Sequence, residues 1–176
     1  MKKIRIFALV VFSMIASAGY SQVQVGLQVG PQFPLGDFAD GYNMGFGLNF
    51  SGKYFVTDDV AFGLNLGYHH FGTDWDDISS SMMPITALVE YYLQEAPLRP
   101  YLGTDIGLYN YSLKWKIGSS EMKDSELYFG IAPKAGIAYQ INDNLAVTGE
   151  LKWNYVMADN ADVDWLGVNI GVAFGF

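Results

Sequence analysis

From Val23 to Phe176 apolar residues recur at every second position, segment after segment, and the apolar phase carries no Asp, Glu, Lys or Arg. A period of two places alternate side chains on opposite faces of an extended strand. The last segment shows it plainly. Leu166, Val168, Ile170, Val172, Phe174 and Phe176 share one face, and Trp165, Gly167, Asn169, Gly171, Ala173 and Gly175 share the other. Upstream, Leu145, Val147, Leu151, Trp153, Tyr155 and Met157 alternate with Ala146, Thr148, Glu150, Lys152 and Asn154. Before them Leu127, Phe129, Ile131, Ala135, Ile137 and Tyr139 alternate with Gly130, Lys134, Gly136 and Gln140. Five earlier segments follow the same grammar, at 23–30, 42–56, 60–71, 83–93 and 101–111. The chain therefore reads as eight strands, an even number, each near or above the ~9–11 residues of a tilted membrane strand.

The connections alternate in length. Thr57-Asp58-Asp59, residues 94–98 and Asn142-Asp143-Asn144 are short and built of turn formers or a proline. Residues 31–41, 72–81, 116–125 and 158–164 are longer and polar. Alternation of this kind belongs to an up-and-down barrel whose two rims face different compartments. A seven-stranded sandwich has similar turn spacing, but nothing in it makes every second connection short.

Charge decides which face looks outward. Lys53, Glu90, Asp105, Lys134, Glu150 and Lys152 all fall on the second phase, together with many glycines such as Gly47, Gly103, Gly130, Gly136 and Gly167. If that phase faced water, a mostly small surface with six charges would be poorly soluble. With the barrel reversed, the apolar phase meets lipid, where a charge costs about 2–4 kcal/mol at the midplane. The small phase then fills an interior just wide enough for side chains. Only 16% of the chain is charged, against about a quarter in soluble domains. Aromatics add an independent sign. Tyr54, Tyr91, Tyr139 and Phe176 lie on the apolar phase beside short turns or the C-terminus; Tyr42, Tyr68, Trp153 and Tyr155 lie on it near the long loops. Two such girdles mark the two membrane interfaces.

The N-terminus has the parts of a secretory signal: Lys2, Lys3 and Arg5, then an apolar run over 6–15. That run is too short to span a bilayer, which takes about 20 residues. Small residues fit cleavage after Ala18 or after Ser21, giving a signal peptide over 1–21 and a barrel domain over 22–176. Loss of the leader takes the formal charge from −8 to −11. Such acidity argues against nucleic acid, whose phosphates need clustered Lys and Arg. There is no Cys, hence no disulfide and no lipoprotein acylation site.

At this point the chain resembles the small outer-membrane β-barrels of the OmpA/OmpX type, and especially the outer membrane β-barrel domain proteins of Bacteroidota. Arg99-Pro100-Tyr101-Leu102-Gly103 is similar to an Arg-Pro-Tyr-x-Gly strand start in such barrels. Gly171-Val172-Ala173-Phe174-Gly175-Phe176 resembles their C-terminal assembly signal, although Ile170 stands where that signal usually has a polar residue. The resemblance implies an all-β, eight-stranded antiparallel up-and-down transmembrane β-barrel in the outer membrane of a Gram-negative cell. It also implies lipid and lipopolysaccharide around the wall, and the barrel-assembly machinery as a partner of the last strand. A monomer is expected.

Chemistry is sparse. Three acids, Glu90, Asp105 and Glu150, balance three bases, Lys53, Lys134 and Lys152, as burial in a lumen requires. Pairing about Asn142-Asp143-Asn144 puts Lys134 opposite Lys152, with Glu150 as the nearest compensation and Glu90 or Asp105 reaching across. His69 and His70 are the only histidines, the first expected inside and the second outside. Lipid-modifying barrels use His and Ser on the lipid face, but His70-Phe71-Gly72-Thr73 has no Ser two residues on. Asp74, Asp76 and Asp77, then Asp159, Asp162 and Asp164, suit a shared hard cation less well than a solvated loop, for the Gly and terminal Glu of a calcium loop are missing. No catalytic, cofactor-binding or metal-binding residue is assigned. The leading expectation is a structural or surface-interaction barrel with a plugged, charge-paired lumen, an unidentified ligand meeting its four acidic outer loops. A narrow solute or ion channel is the alternative, and a lipid-modifying enzyme comes third.

Overall fold

The computed structural model describes residues 23–73, 78–94, 97–117, 120–158 and 162–175. The signal-peptide reading over 1–21, the carboxylates Asp74, Asp76, Asp77 and Asp159, and Phe176 lie outside the described residues. The strands are β1 (Val23–Leu35), β2 (Gly45–Phe55), β3 (Val60–Phe71), β4 (Ile78–Tyr92), β5 (Leu98–Ile117), β6 (Ser120–Asn142), β7 (Leu145–Met157) and β8 (Val163–Gly175). Each is hydrogen-bonded to its neighbour in sequence, and β8 returns antiparallel to β1 to close the barrel. Closure removes the sheet edges that a lipid phase would leave unsatisfied.

The two phases separate as the alternation requires. Outward residues such as Leu64 and Ile170 are 62% and 66% exposed, while all six inward charges are at most 7% exposed. Tyr54, Tyr91 and Tyr139 stand on the outer face at one rim, and Tyr68 and Trp153 toward the other. The tight turns are closed by their own side chains. Thr57 Oγ1 accepts from the Val60 amide at 3.0 Å, and Asn142 Oδ1 from the Leu145 amide at 2.9 Å. Asn and Thr can replace the backbone in this way without an added loop.

At the other rim strand extends into three of the expected loops. β1 runs on to Leu35 through Pro31 and Pro34. The ladder to β8 skips Gly30 and Pro31, and Pro34 lies beyond the last β1–β2 pair, Gln32↔Gly45, so neither proline interrupts a central ladder. Gly36, at φ +52°, then turns the chain into a short 3-10 helix, Gly36–Asp40; the left-handed region is one that glycine enters without Cβ strain. Since β2 starts only at Gly45, Tyr42 is not on the lipid face; it turns inward onto Phe38, ring centroids 4.5 Å apart. β4 begins at Ile78, inside the expected 72–81 loop. The expected 116–125 loop is the tip of a β5–β6 hairpin paired out to Ile117↔Ser120.

Candidate functional site: a lumen filled in two layers

Five strands project charge into the half of the lumen nearer the tight turns. Lys53 from β2 lies 2.7 Å from Glu90 of β4. Glu90 reaches Lys134 of β6 at 2.7 Å, Lys134 reaches Asp105 of β5 at 2.8 Å, and Asp105 reaches Lys152 of β7 at 2.9 Å. Glu150 closes the circuit at 3.3 Å from Lys152 and 3.8 Å from Lys134. Three positive and three negative groups thus form one connected, neutral, buried network. Lys134 and Lys152 are Cα partners, as the turn arithmetic requires. The expected ranking of their partners is corrected, for Lys134 is held by Glu90 and Asp105 and Glu150 is its most distant acid. In so narrow a barrel a side chain two strands away is as near as a diagonal neighbour.

Tyrosines complete this layer. Tyr92 donates to Glu90 Oε2 and Tyr101 to Glu150 Oε2, both at 2.9 Å. A Cβ at Gly136 would lie 2.3 Å from the Tyr101 ring, so the glycine opposite makes the space the ring occupies. The same device serves Tyr109 beside Gly130. The inward phase is therefore small in places because it is large in others, and the expectation of a small or charge-paired interior omitted these rings.

Toward the opposite rim the filling changes to aromatics and amides. Trp165, fully buried, meets Phe71, His69 and Tyr109 edge-on at 5.5, 5.6 and 5.9 Å. Phe38 lies over them, 5.0 Å from Phe71. Each polar handle finds an amide: Trp165 Nε1 donates to Gln32 Oε1 at 3.1 Å, Gln32 Nε2 to Asn169 Oδ1 at 3.0 Å, and Tyr109 to Asn154 Oδ1 at 3.4 Å. His69 Nε2 lies 3.1 Å from Asn49 Oδ1, so His69 belongs to this layer, inside as expected. His70 points out, and its Cα partner on β4 is Ser81. No hydrogen bond joins these two among the described residues. Asp162 and Asp164 are bonded by the outward Tyr155 and Trp153.

Both rims are hollow. At the tight turns a cavity of about 590 Å³ holds Arg99, which stacks 4.5 Å over Tyr92 and donates to the carbonyls of Asp58 and Gln94. At the other rim about 280 Å³ is walled by Phe38, Tyr42, Tyr111 and Tyr128 with Asp37 and Asp162 at its margin. Tyr42 and Tyr111 share a hydrogen bond of 2.7 Å. Burial first, and that bond second, raise the Tyr42 pKa well above the usual tyrosine range, so its hydroxyl stays neutral.

An apolar, aromatic-girdled outside around a buried ionic inside defines a small transmembrane β-barrel. The family model for the outer membrane protein beta-barrel domain matches residues 6–176, and the chain belongs to that family of outer-membrane proteins. No curated protein sequence matches it. Among solved structures it is similar to Neisserial surface protein A at 20% identity and TM-score 0.70, covering 88% of this chain and 97% of that one. It is also similar to the attachment invasion locus protein Ail of Yersinia pestis, at 16% identity and TM-score 0.60, covering 89% and 99%. The outer membrane protein OprG of Pseudomonas aeruginosa follows at 15% and 0.59, covering 90% and 98%. At these identities the likeness is one of fold.

Proposed function

We propose that this chain is a sealed, non-enzymatic surface barrel of the outer membrane. In this reading the lumen is plugged and the long-loop rim meets the exterior. The observation that carries it is the succession of two dissimilar fillings, the ion-paired network and then the Trp165 layer, across one narrow bore. Burial of six charges in a single connected network favours a rigid plug over a conducting path, since a lone charge in that bore would have no compensation. The same reading has residues 1–21 removed on export, the tight turns in the periplasm, and a monomer in lipid and lipopolysaccharide. Its last strand is recognised by the assembly machinery. Solute-driven swelling of liposomes containing the refolded barrel tests the seal. The reading expects swelling no faster than in empty liposomes with either a small sugar or a monovalent salt, and salt-dependent swelling would favour the narrow channel instead.

A further inference from the structure

The rim hollow of about 280 Å³ has rings in its wall and carboxylates at its margin. Its rings are held in place before any guest arrives. Phe38 stands on the 3-10 helix that Gly36 turns over the bore. It is 6% exposed, packed on Tyr42 at 4.5 Å and edge-on to Phe71 at 5.0 Å. Tyr42 is tied in turn to Tyr111 of β5 by the 2.7 Å bond between their hydroxyls. Two distant parts of the chain thus fix three rings around one space, and little ordering is left for a ligand to impose.

The wall selects the guest by size and charge. The space falls below the roughly 300–1,000 Å³ of pockets for drug-sized molecules, so its guest is small. Among the described residues no Lys, Arg or His borders it, whereas Asp37 and Asp162 do. Residues 36–44, 72–79, 112–126 and 158–164 hold 11 carboxylates and 3 amines, so the field at this rim draws positive charge. Aromatic faces attract the same sign.

The kind of cation follows from what the wall lacks. A hard metal ion needs about six oxygens or more, which this wall does not offer. A primary ammonium brings three N–H donors, each costly to bury without an acceptor. The hydroxyls of Tyr42 and Tyr111 are bonded to each other, and Asp162 already accepts from Tyr155. A quaternary ammonium has no N–H to satisfy. Its methyl groups carry the charge to the ring faces, and those are what the wall provides.

We propose that the hollow bounded by Phe38, Tyr42 and Tyr111 is an aromatic cage for a small methylated ammonium ion, with Asp37 and Asp162 drawing it in. The ion is a free solute rather than a phosphocholine headgroup, because the same carboxylates repel a phosphodiester. Its arrival from outside the cell rests on the surface-barrel reading above; the cage itself does not.

The probe is choline, titrated against the refolded barrel in nanodiscs of phosphatidylglycerol, which carries no choline of its own. Saturable binding is expected, with the methyl resonance moved upfield by the rings. The neutral isostere 3,3-dimethyl-1-butanol and the unmethylated ethanolamine should each bind about tenfold more weakly or worse. Glycerophosphocholine should also bind more weakly than choline; the reverse order would overturn the free-solute assignment. Tyr111→Leu should weaken choline about tenfold, while Tyr111→Phe, which keeps the ring, should stay within about threefold. Asp37→Asn with Asp162→Asn, both at exposed positions, should cost about threefold and flatten the salt dependence. No saturable binding of choline, equal binding of choline and its neutral isostere, or unchanged binding in a folded Tyr111→Leu barrel would overturn the cage. The ligand series uses the parent barrel, so it stands even if a variant misfolds. Both rims are in solution in a nanodisc, so this test is blind to orientation and to the seal, which liposome swelling reports separately.

Discussion

In the half of the lumen nearer the tight turns, charges sit 2.7–3.3 Å from their closest oppositely charged partners; in the other half, ring centroids sit 5.0–5.9 Å apart with amides on their polar ends. Both fillings are buried inside the barrel, but they should fail differently. A charge in the network is satisfied only while its partners are present, so removing one group leaves the others buried and unpaired. A ring in the aromatic layer loses area and contacts in proportion to what is cut away. The ionic half should therefore be brittle and strongly coupled, and the aromatic half graded.

The largest effect is expected at Lys134, which touches three carboxylates. Lys134→Ala should cost about 3–5 kcal/mol in urea unfolding from lipid vesicles. Adding Glu150→Ala should recover part of that loss, because the pairs Lys53–Glu90 and Asp105–Lys152 then stand intact and neutral. A coupling of about 1–3 kcal/mol is expected from the double-mutant cycle, whereas strict additivity would mean that the network is hydrated. The outer wall sharpens the point, since a charge there has no partner at all. Ile170→Arg should cost about 2–4 kcal/mol if it lies near the bilayer midplane, although the position is highly exposed. In the aromatic half, Trp165→Phe keeps a ring but leaves Gln32 Oε1 without its donor, and about 1–3 kcal/mol should be lost. Phe38→Ala should be the mildest, below about 1.5 kcal/mol, because the 3-10 helix bearing it can open without unfolding the barrel. In a chain keeping Trp165 as its single tryptophan, this change should still admit iodide to quench its fluorescence; unchanged quenching would show that Phe38 is no lid.

These two halves were also unequally legible in the amino-acid sequence. The ionic half could be read because charge on one phase of a lipid-facing strand has nowhere to go but inward, and because counting Asn142-Asp143-Asn144 as the connection gives the register that sets Lys134 against Lys152, which the structure reaches by a two-residue turn and a register shift between Gln140 and Asn142. The aromatic half was hidden because a ring's parity says which face it is on but not what it fills. The available signal was the pairing of rings with glycines, Tyr101 with Gly136 above all, which register alone brings together. Phe38 has no signal in the sequence and the alternation puts Tyr42 on the wrong face, since the positive φ at Gly36 that folds their segment over the bore leaves no periodic trace. The strands beyond the membrane escaped notice for a related reason. A strand outside the lipid need have no apolar face, and the alternation that announces a strand then disappears.

The central claim is that either filling alone closes the bore. Planar-bilayer recording of half-opened barrels tests it most directly. One variant opens the aromatic half with Trp165→Ala and Phe38→Ala; another opens the ionic half with Lys134→Ala and Glu150→Ala; a third carries all four changes. The account predicts a flat baseline for the parent and for each half-opened barrel, with current steps only in the fourfold variant. Steps in the parent, or in either half-opened barrel alone, would contradict it.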